Sequence, residues 1–125
     1  MITEVKHIGI TPLHPKEDFL KKVENFFEGV KKALIIRLDE AFYTQDLLEE
    51  IENSSKKSNS IVIYNSRNDI SSKKNIHLTS NDLMNFTEKR ERNFLLGASC
   101  HNQSEVEKAN QLKCDYILIL SLIHI

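Results

Sequence analysis

Five residues in this chain are of the types that do chemistry on small polar molecules: Arg37, Asn65, Asp82, Ser99 and His101. Arg37 offers a planar cation with paired N–H donors, suited to a phosphate or a carboxylate. Asn65 and Ser99 can hydrogen-bond a substrate. Asp82 could hold a metal ion or cap a helix. His101 can give or take a proton near neutral pH. Each also has a plainer reading. Arg37 pairs equally well with Asp39 or Glu40, and a polar residue at a helix start, such as His101, needs no catalytic role. Cys100 adjoins His101 in sequence, but alternation along a strand sends the two side chains to opposite faces. They are therefore not read as a Cys–His pair. His7, His14 and His77 read as structural or exposed, His77 lying inside a strand.

The elements that must position these residues alternate between strand and helix. Strands are expected at Val5–Thr11, Ala33–Leu38, Ser60–Tyr64, Asn75–Thr79, Asn93–Ala98 and Cys114–Leu120. Val5, Ile8 and Ile10 give the first its apolar side chains, and the continuous apolar run of the second suits a strand buried on both faces. The first helix should open at Pro15, where a missing N–H is no loss. Phe19, Leu20, Val23, Phe26, Phe27 and Val30 recur in it at helical spacing, and Gly29 suits its end. Tyr43–Lys57 reads as the second helix, with Leu47, Leu48 and Ile51 inward and a polar loop over Ser54–Asn59. A third is expected from a Ser80 cap to about Arg90. A fourth spans His101–Lys113, with Asn102 and Glu105 spaced as a capping box.

Such alternation implies a parallel sheet, either open and doubly wound or closed into a barrel. The open dinucleotide-binding form carries a glycine-rich turn after its first strand. Here that turn is Thr11-Pro12-Leu13-His14-Pro15, and the whole chain has 3 glycines. A dinucleotide or P-loop site is excluded on that ground. An open α/β interaction module would need an acidic cluster where Thr11-Pro12 stands. In both architectures reactive groups gather at the C-terminal ends of strands. Those ends hold Thr11, Arg37 to Glu40, Asn65 to Arg67, Thr79 to Asp82, and Ser99 to His101. With the small Gly97 facing a crowded interior, Ser99 and His101 line its mouth, and Cys100 packs against helices.

Composition narrows the partners. A net charge of −1 supplies no field to draw nucleic acid or an anionic membrane. The densest basic run, Lys89-Arg90-Glu91-Arg92, is broken by an acid and reads as a solvated helix end. Two cysteines, Cys100 and Cys114, fit free thiols in a cytoplasmic protein and fall short of a four-ligand zinc site. No apolar run approaches the ~20 residues of a membrane span.

Several blocks, in order along nearly the whole chain, resemble one family. Leu96-Gly97-Ala98-Ser99-Cys100-His101, then Glu105, Ala109 and Cys114-Asp115-Tyr116-Ile117, is similar to the Gly-x-Ser-x-His to Ala-Asp-Tyr stretch of the thiamine phosphate synthase/TenI family. Asn65-Ser66-Arg67-Asn68-Asp69 resembles that family's Asn-Asp-Arg-x-Asp. Ile76-His77-Leu78 with Asn81-Asp82-Leu83 resembles its Val-His-Leu and Gln-Glu-Asp-Leu, and Ile36 to Ala41 falls at its Gln-x-Arg-x-Lys strand. The resemblance implies a parallel (β/α) barrel of the TIM type. It implies a phosphorylated thiazole or pyrimidine as the small-molecule partner, with Mg²⁺ if the chain is a synthase and no cofactor if it is a thiazole tautomerase. It gives Asn65 a substrate contact, Asp82 a metal, Ser99 a pyrophosphate and His101 an acid/base role. Against a synthase, Ser66 replaces the second metal aspartate, and Arg37, Asp39 and Ala41 replace Gln, Arg and Lys. A departing pyrophosphate requires cations and metal, whereas a proton shift needs one poised histidine and an anion site. The departures favour a TenI-like tautomerase, with synthase and a non-catalytic binding member as alternatives.

Residues 1–119 are accordingly expected to form about six strands of an incomplete barrel. Leu120 to Ile125 is also what a common sequencing-adapter end encodes, CTG TCT CTT ATA CAC ATC, so 120–125 is read as a non-native tail. A barrel of this type runs to ~200–250 residues and draws its phosphate loops from strands seven and eight. The chain on its own is therefore expected to be inactive and prone to aggregate.

Overall fold

The computed structural model describes residue 5 and residues 7–68, 74–87 and 92–119. They divide into two units, Met1–Tyr64 and Asn65–Ile125.

The first unit contains β1 (Ile8–Ile10), α1 (Phe19–Phe27), β2 (Ala33–Ile36), α2 (Gln45–Lys57) and most of β3 (Ile61–Asn65). β2 pairs in parallel with β1 and with β3. Ala33 to Ile36 are all buried, as a strand covered on both faces requires. Phe19, Val23 and Phe27 of α1 and Leu48 and Ile51 of α2 share one core with Leu34, Ile36 and Tyr64. Beyond the strands, the Thr11 hydroxyl donates to the Arg37 carbonyl at 2.8 Å and accepts from the Arg37 N–H at 2.9 Å. One side chain thus ties the two chain segments that leave β1 and β2.

Expectations fail at several points in this unit. The first helix begins at Phe19, not Pro15, because the apolar face begins there and the preceding residues form a turn closed by the Phe19 N–H on the Lys16 carbonyl at 3.0 Å. Gly29, with φ +88°, stops that helix, which leaves Val30 65% exposed rather than on its apolar face. Ile10, one of the apolar side chains of the first strand, is 53% exposed. In α2, Thr44 supplies the cap, accepting from the Leu47 N–H. The helix runs to Lys57 as read, so the polar loop expected over Ser54–Asn59 is confined to its end; within it the Ser55 hydroxyl donates to the Glu52 carbonyl at 2.7 Å.

The second unit begins with the last residue of β3, Asn65. It contains β4 (Ile76–Leu78), α3 (Ser80–Asn85), β5 (Leu96–Cys100), α4 (Gln103–Gln111) and β6 (Tyr116–Ile119). The Ser66 N–H donates to the His77 carbonyl at 2.8 Å, and β5 pairs in parallel with β4 and β6. Ile76, Leu78, Leu96, Ala98 and Cys100 share a core with Leu83 of α3 and Ala109 of α4. Parallel strands joined by helices, in the order β1-β2-β3-β4-β5-β6, make this an incomplete parallel (β/α) barrel-type fold of six strands.

Thr79 rather than Ser80 caps α3, accepting from the Asp82 N–H at 3.1 Å, and the helix ends at Asn85 instead of near Arg90. Lys89 to Glu91 lie outside the described residues. Arg92 is no solvated helix end. Its guanidinium donates to the Leu112 and Lys113 carbonyls at 3.2 and 2.6 Å and to Asp115 at 3.3 Å. A cation there satisfies the carbonyls at the end of α4. Asp115 in turn accepts from the Leu96 N–H at 2.8 Å, which anchors the start of β5. The proposed tail, 120–125, lies outside the described residues.

Candidate active site at the strand ends of the second unit

Register decides which side chains meet. His77 of β4 and Tyr116 of β6 both align with Gly97 of β5. They therefore share one sheet face with Gly97 and Ser99, while Leu96, Ala98 and Cys100 point into the core beneath α3 and α4. Cys100 packs toward the helices as its alternation required. Gly97 has no side chain to separate its neighbours, and the His77 and Tyr116 rings stack with centroids 5.6 Å apart and planes 23° from parallel. A Cβ on Gly97 would overlap the Tyr116 ring.

His77 Nδ1 lies 2.8 Å from the Tyr116 hydroxyl, and Nε2 lies 2.7 Å from Ser99 Oγ. His77 is 2% exposed. Burial disfavours its charged form and lowers its pKa to about 4, so the ring is neutral at physiological pH. Burial likewise pushes the Tyr116 phenol well above its ordinary range, with smaller contributions from Cys114 and Asp115.

A second polar cluster follows β3 and β4. The Ser66 hydroxyl donates to Asp82 Oδ2 at 2.6 Å and accepts from the Thr79 N–H at 3.0 Å. Asn65, 5% exposed, accepts at its side-chain oxygen from the Arg67 N–H at 2.9 Å.

The expected site residues divide as follows. Asn65, Asp82, Ser99 and His101 all belong to the second unit. Ser99 is held by His77, and Asp82 by Ser66. His101 is exposed and is drawn to α4, where its backbone N–H donates to Glu105 Oε1 at 2.6 Å and its Nδ1 lies 3.4 Å from the same oxygen. Asn102 caps that helix, accepting from the Glu105 N–H at 2.9 Å. The carboxylate half of the capping box thus reaches one residue further back than the usual cap position. Arg37 lies in the first unit, just past β2 and half-buried. An apolar cavity of about 320 Å³ in that unit, lined by Ile10, Phe19, Val23, Phe26 and Leu34 among others, contains none of the five.

Residue types alone missed His77, Tyr116 and Ser66 as partners of the candidates. One signal for the first two was present: a histidine between Ile76 and Leu78, and a lone glycine in the next strand, mark a polar group on an otherwise apolar sheet with room made for it.

The model of the family described as thiamine monophosphate synthase matches residues 8–123. The chain belongs to that family. No curated protein and no solved structure gives a significant match. As a thiamine monophosphate synthase/TenI family member, the chain can be asked whether it fits the Mg²⁺ that synthase chemistry implies. A two-carboxylate magnesium site does not fit the described residues. Asp82 has a serine hydroxyl bonded to it where a second carboxylate would stand, and among the described residues no group of three or more His, Cys, Asp or Glu could hold a metal ion.

Proposed function

We propose that this family member binds a phosphorylated thiazole and moves a proton on it, a TenI-like tautomerase reaction, rather than joining thiazole to a pyrimidine diphosphate. The observation that carries this reading is the Ser66–Asp82 hydrogen bond of 2.6 Å. With a neutral hydroxyl beside Asp82 in place of a second carboxylate, one negative charge rather than two is left to hold a cation, and a departing pyrophosphate depends on such a cation. A proton shift has no such need.

His101 is assigned the acid/base role. Glu105 beside Nδ1 favours a proton on that nitrogen, which leaves Nε2 as the acceptor that takes a proton from substrate carbon and returns it elsewhere on the ring. Ser99 and Asn65 supply hydrogen bonds to the substrate. The reading also places the protein in the cytoplasm, in keeping with its two free cysteines.

The test is an assay of the protein with tautomerase and synthase substrates, beside its His101→Ala variant. Proton exchange on the thiazole carboxylate phosphate should proceed without Mg²⁺ and fall by about 10²–10⁴-fold in the variant. Unchanged exchange would remove His101 from the chemistry. Pyrophosphate release with thiamine phosphate formation would make the protein a synthase, and binding without turnover would make it a non-catalytic member.

A further inference from the structure

We propose that His77 and Tyr116 are positioning residues that fix the Ser99 hydroxyl as a one-way hydrogen-bond donor, aimed at an anionic oxygen of the ligand. This rests on the reading of the second unit's strand ends as a ligand site. The geometry starts from Gly97, which lets the two rings stack and brings the phenol to Nδ1 at 2.8 Å while Nε2 meets Ser99 Oγ at 2.7 Å.

A neutral imidazole has one N–H and one acceptor nitrogen. His77 is neutral and Tyr116 keeps its proton, both because of burial. The phenol therefore donates to Nδ1, and the single imidazole proton sits on Nε2 and is donated to Ser99 Oγ. In the opposite tautomer Nδ1–H would donate to the phenol oxygen, and the phenol proton would have no acceptor among the described side chains. Ser99 Oγ is thus an acceptor on its inner side, and its own proton is directed outward.

Two consequences follow. A hydroxyl that would otherwise accept from an N–H or donate to an oxygen becomes selective for acceptors such as phosphate or carboxylate oxygens. Ser99 is also not a nucleophile, although a serine within 2.7 Å of a histidine resembles the start of a catalytic pair. The nitrogen facing it already carries the proton.

The experiment uses the full chain. Nitrogen-15 NMR of the His77 ring should show a protonated Nε2 and an unprotonated Nδ1. Tyr116→Phe keeps the ring stack and removes the phenol, so His77 should become a mixture of tautomers. With inorganic phosphate and thiazole phosphate as probes, Ser99→Ala and Tyr116→Phe should each weaken binding about tenfold, as loss of a hydrogen bond to a charged group does. Affinity for the unphosphorylated thiazole alcohol should be unchanged, and the double variant should bind no worse than Ser99→Ala. A protonated Nδ1 in the unmodified chain, an unaltered tautomer in Tyr116→Phe, or additive losses in the double variant would each overturn the proposal. If thiazole phosphate fails to bind while inorganic phosphate still senses both substitutions, the tautomerase reading falls and this one stands.

Discussion

The two units are built from the same strand–helix alphabet and spend it differently. In the first, α1 and α2 share one apolar cluster with β2 and Tyr64. Its polar side chains serve the backbone, as Thr11 does at Arg37 or Thr44 at a helix cap. In the second, one sheet face packs the helices and the other carries His77, Ser99 and Tyr116 in a hydrogen-bonded set. The difference lies in what the strands of each unit hold. A buried polar set is tolerated only when every member is satisfied, and Gly97 is what lets this one close.

The comparison breaks most visibly through the two cores. Ile51→Ala in the first unit and Leu83→Ala in the second should each cost about 2–5 kcal/mol by urea unfolding, as truncation of a fully buried side chain does. Changes in the His77 ring signals should follow Leu83→Ala and not Ile51→Ala, since only Leu83 shares the second core.

Acid comes next, and it should act on the second unit. His77 titrates at about 4 in the fold and near 6.5 when unfolded. Between those values the unfolded chain binds a proton that the folded chain does not, so stability is undiminished above about pH 6.5 and falls as the pH drops toward 4. The loss amounts to about 3 kcal/mol at its fullest. Unfolding measured across this range should show that slope, and His77→Gln should flatten it. An identical slope in the variant would place the acid sensitivity elsewhere.

The smallest expected effect contrasts two glycines. A Cβ on Gly9 would meet the far edge of the Phe26 ring at 2.8 Å, and Phe26 is only half-buried and can shift. A Cβ on Gly97 would meet the Tyr116 ring, which is held by stacking and by its hydrogen bond to His77. Gly97→Ala should cost about 1–3 kcal/mol, as overpacking does, and Gly9→Ala less. Thermal unfolding of the two variants side by side checks the order.

Much of the fold was legible in the sequence because its signals are local. Apolar runs, helical spacing and capping residues found the six strands and four α-helices of the described residues, and the Gly97–Ser99 alternation correctly sent Cys100 to the helices. What escaped depended on partners far along the chain. Arg92 was misread because the carbonyls it caps are some twenty residues away, at Leu112 and Lys113. His77 read as structural or exposed, and nothing local could tie it to Ser99 or Tyr116. That link exists only once register aligns three strands at Gly97. Element ends also moved where capping was decided by neighbours: Thr79 took the cap from Ser80, and Thr44 took the start of α2 from Tyr43.

The most direct test of the central claim, that the chain's ligand site sits at the strand ends of the second unit, is a titration with thiazole phosphate followed by amide NMR shifts. The account predicts perturbations at Asn65, Ser99 and His101, with the amides of Gly9, Phe19 and Phe26 around the apolar cavity of the first unit unmoved. Perturbations confined to that cavity, with Ser99 and His101 silent, would contradict it.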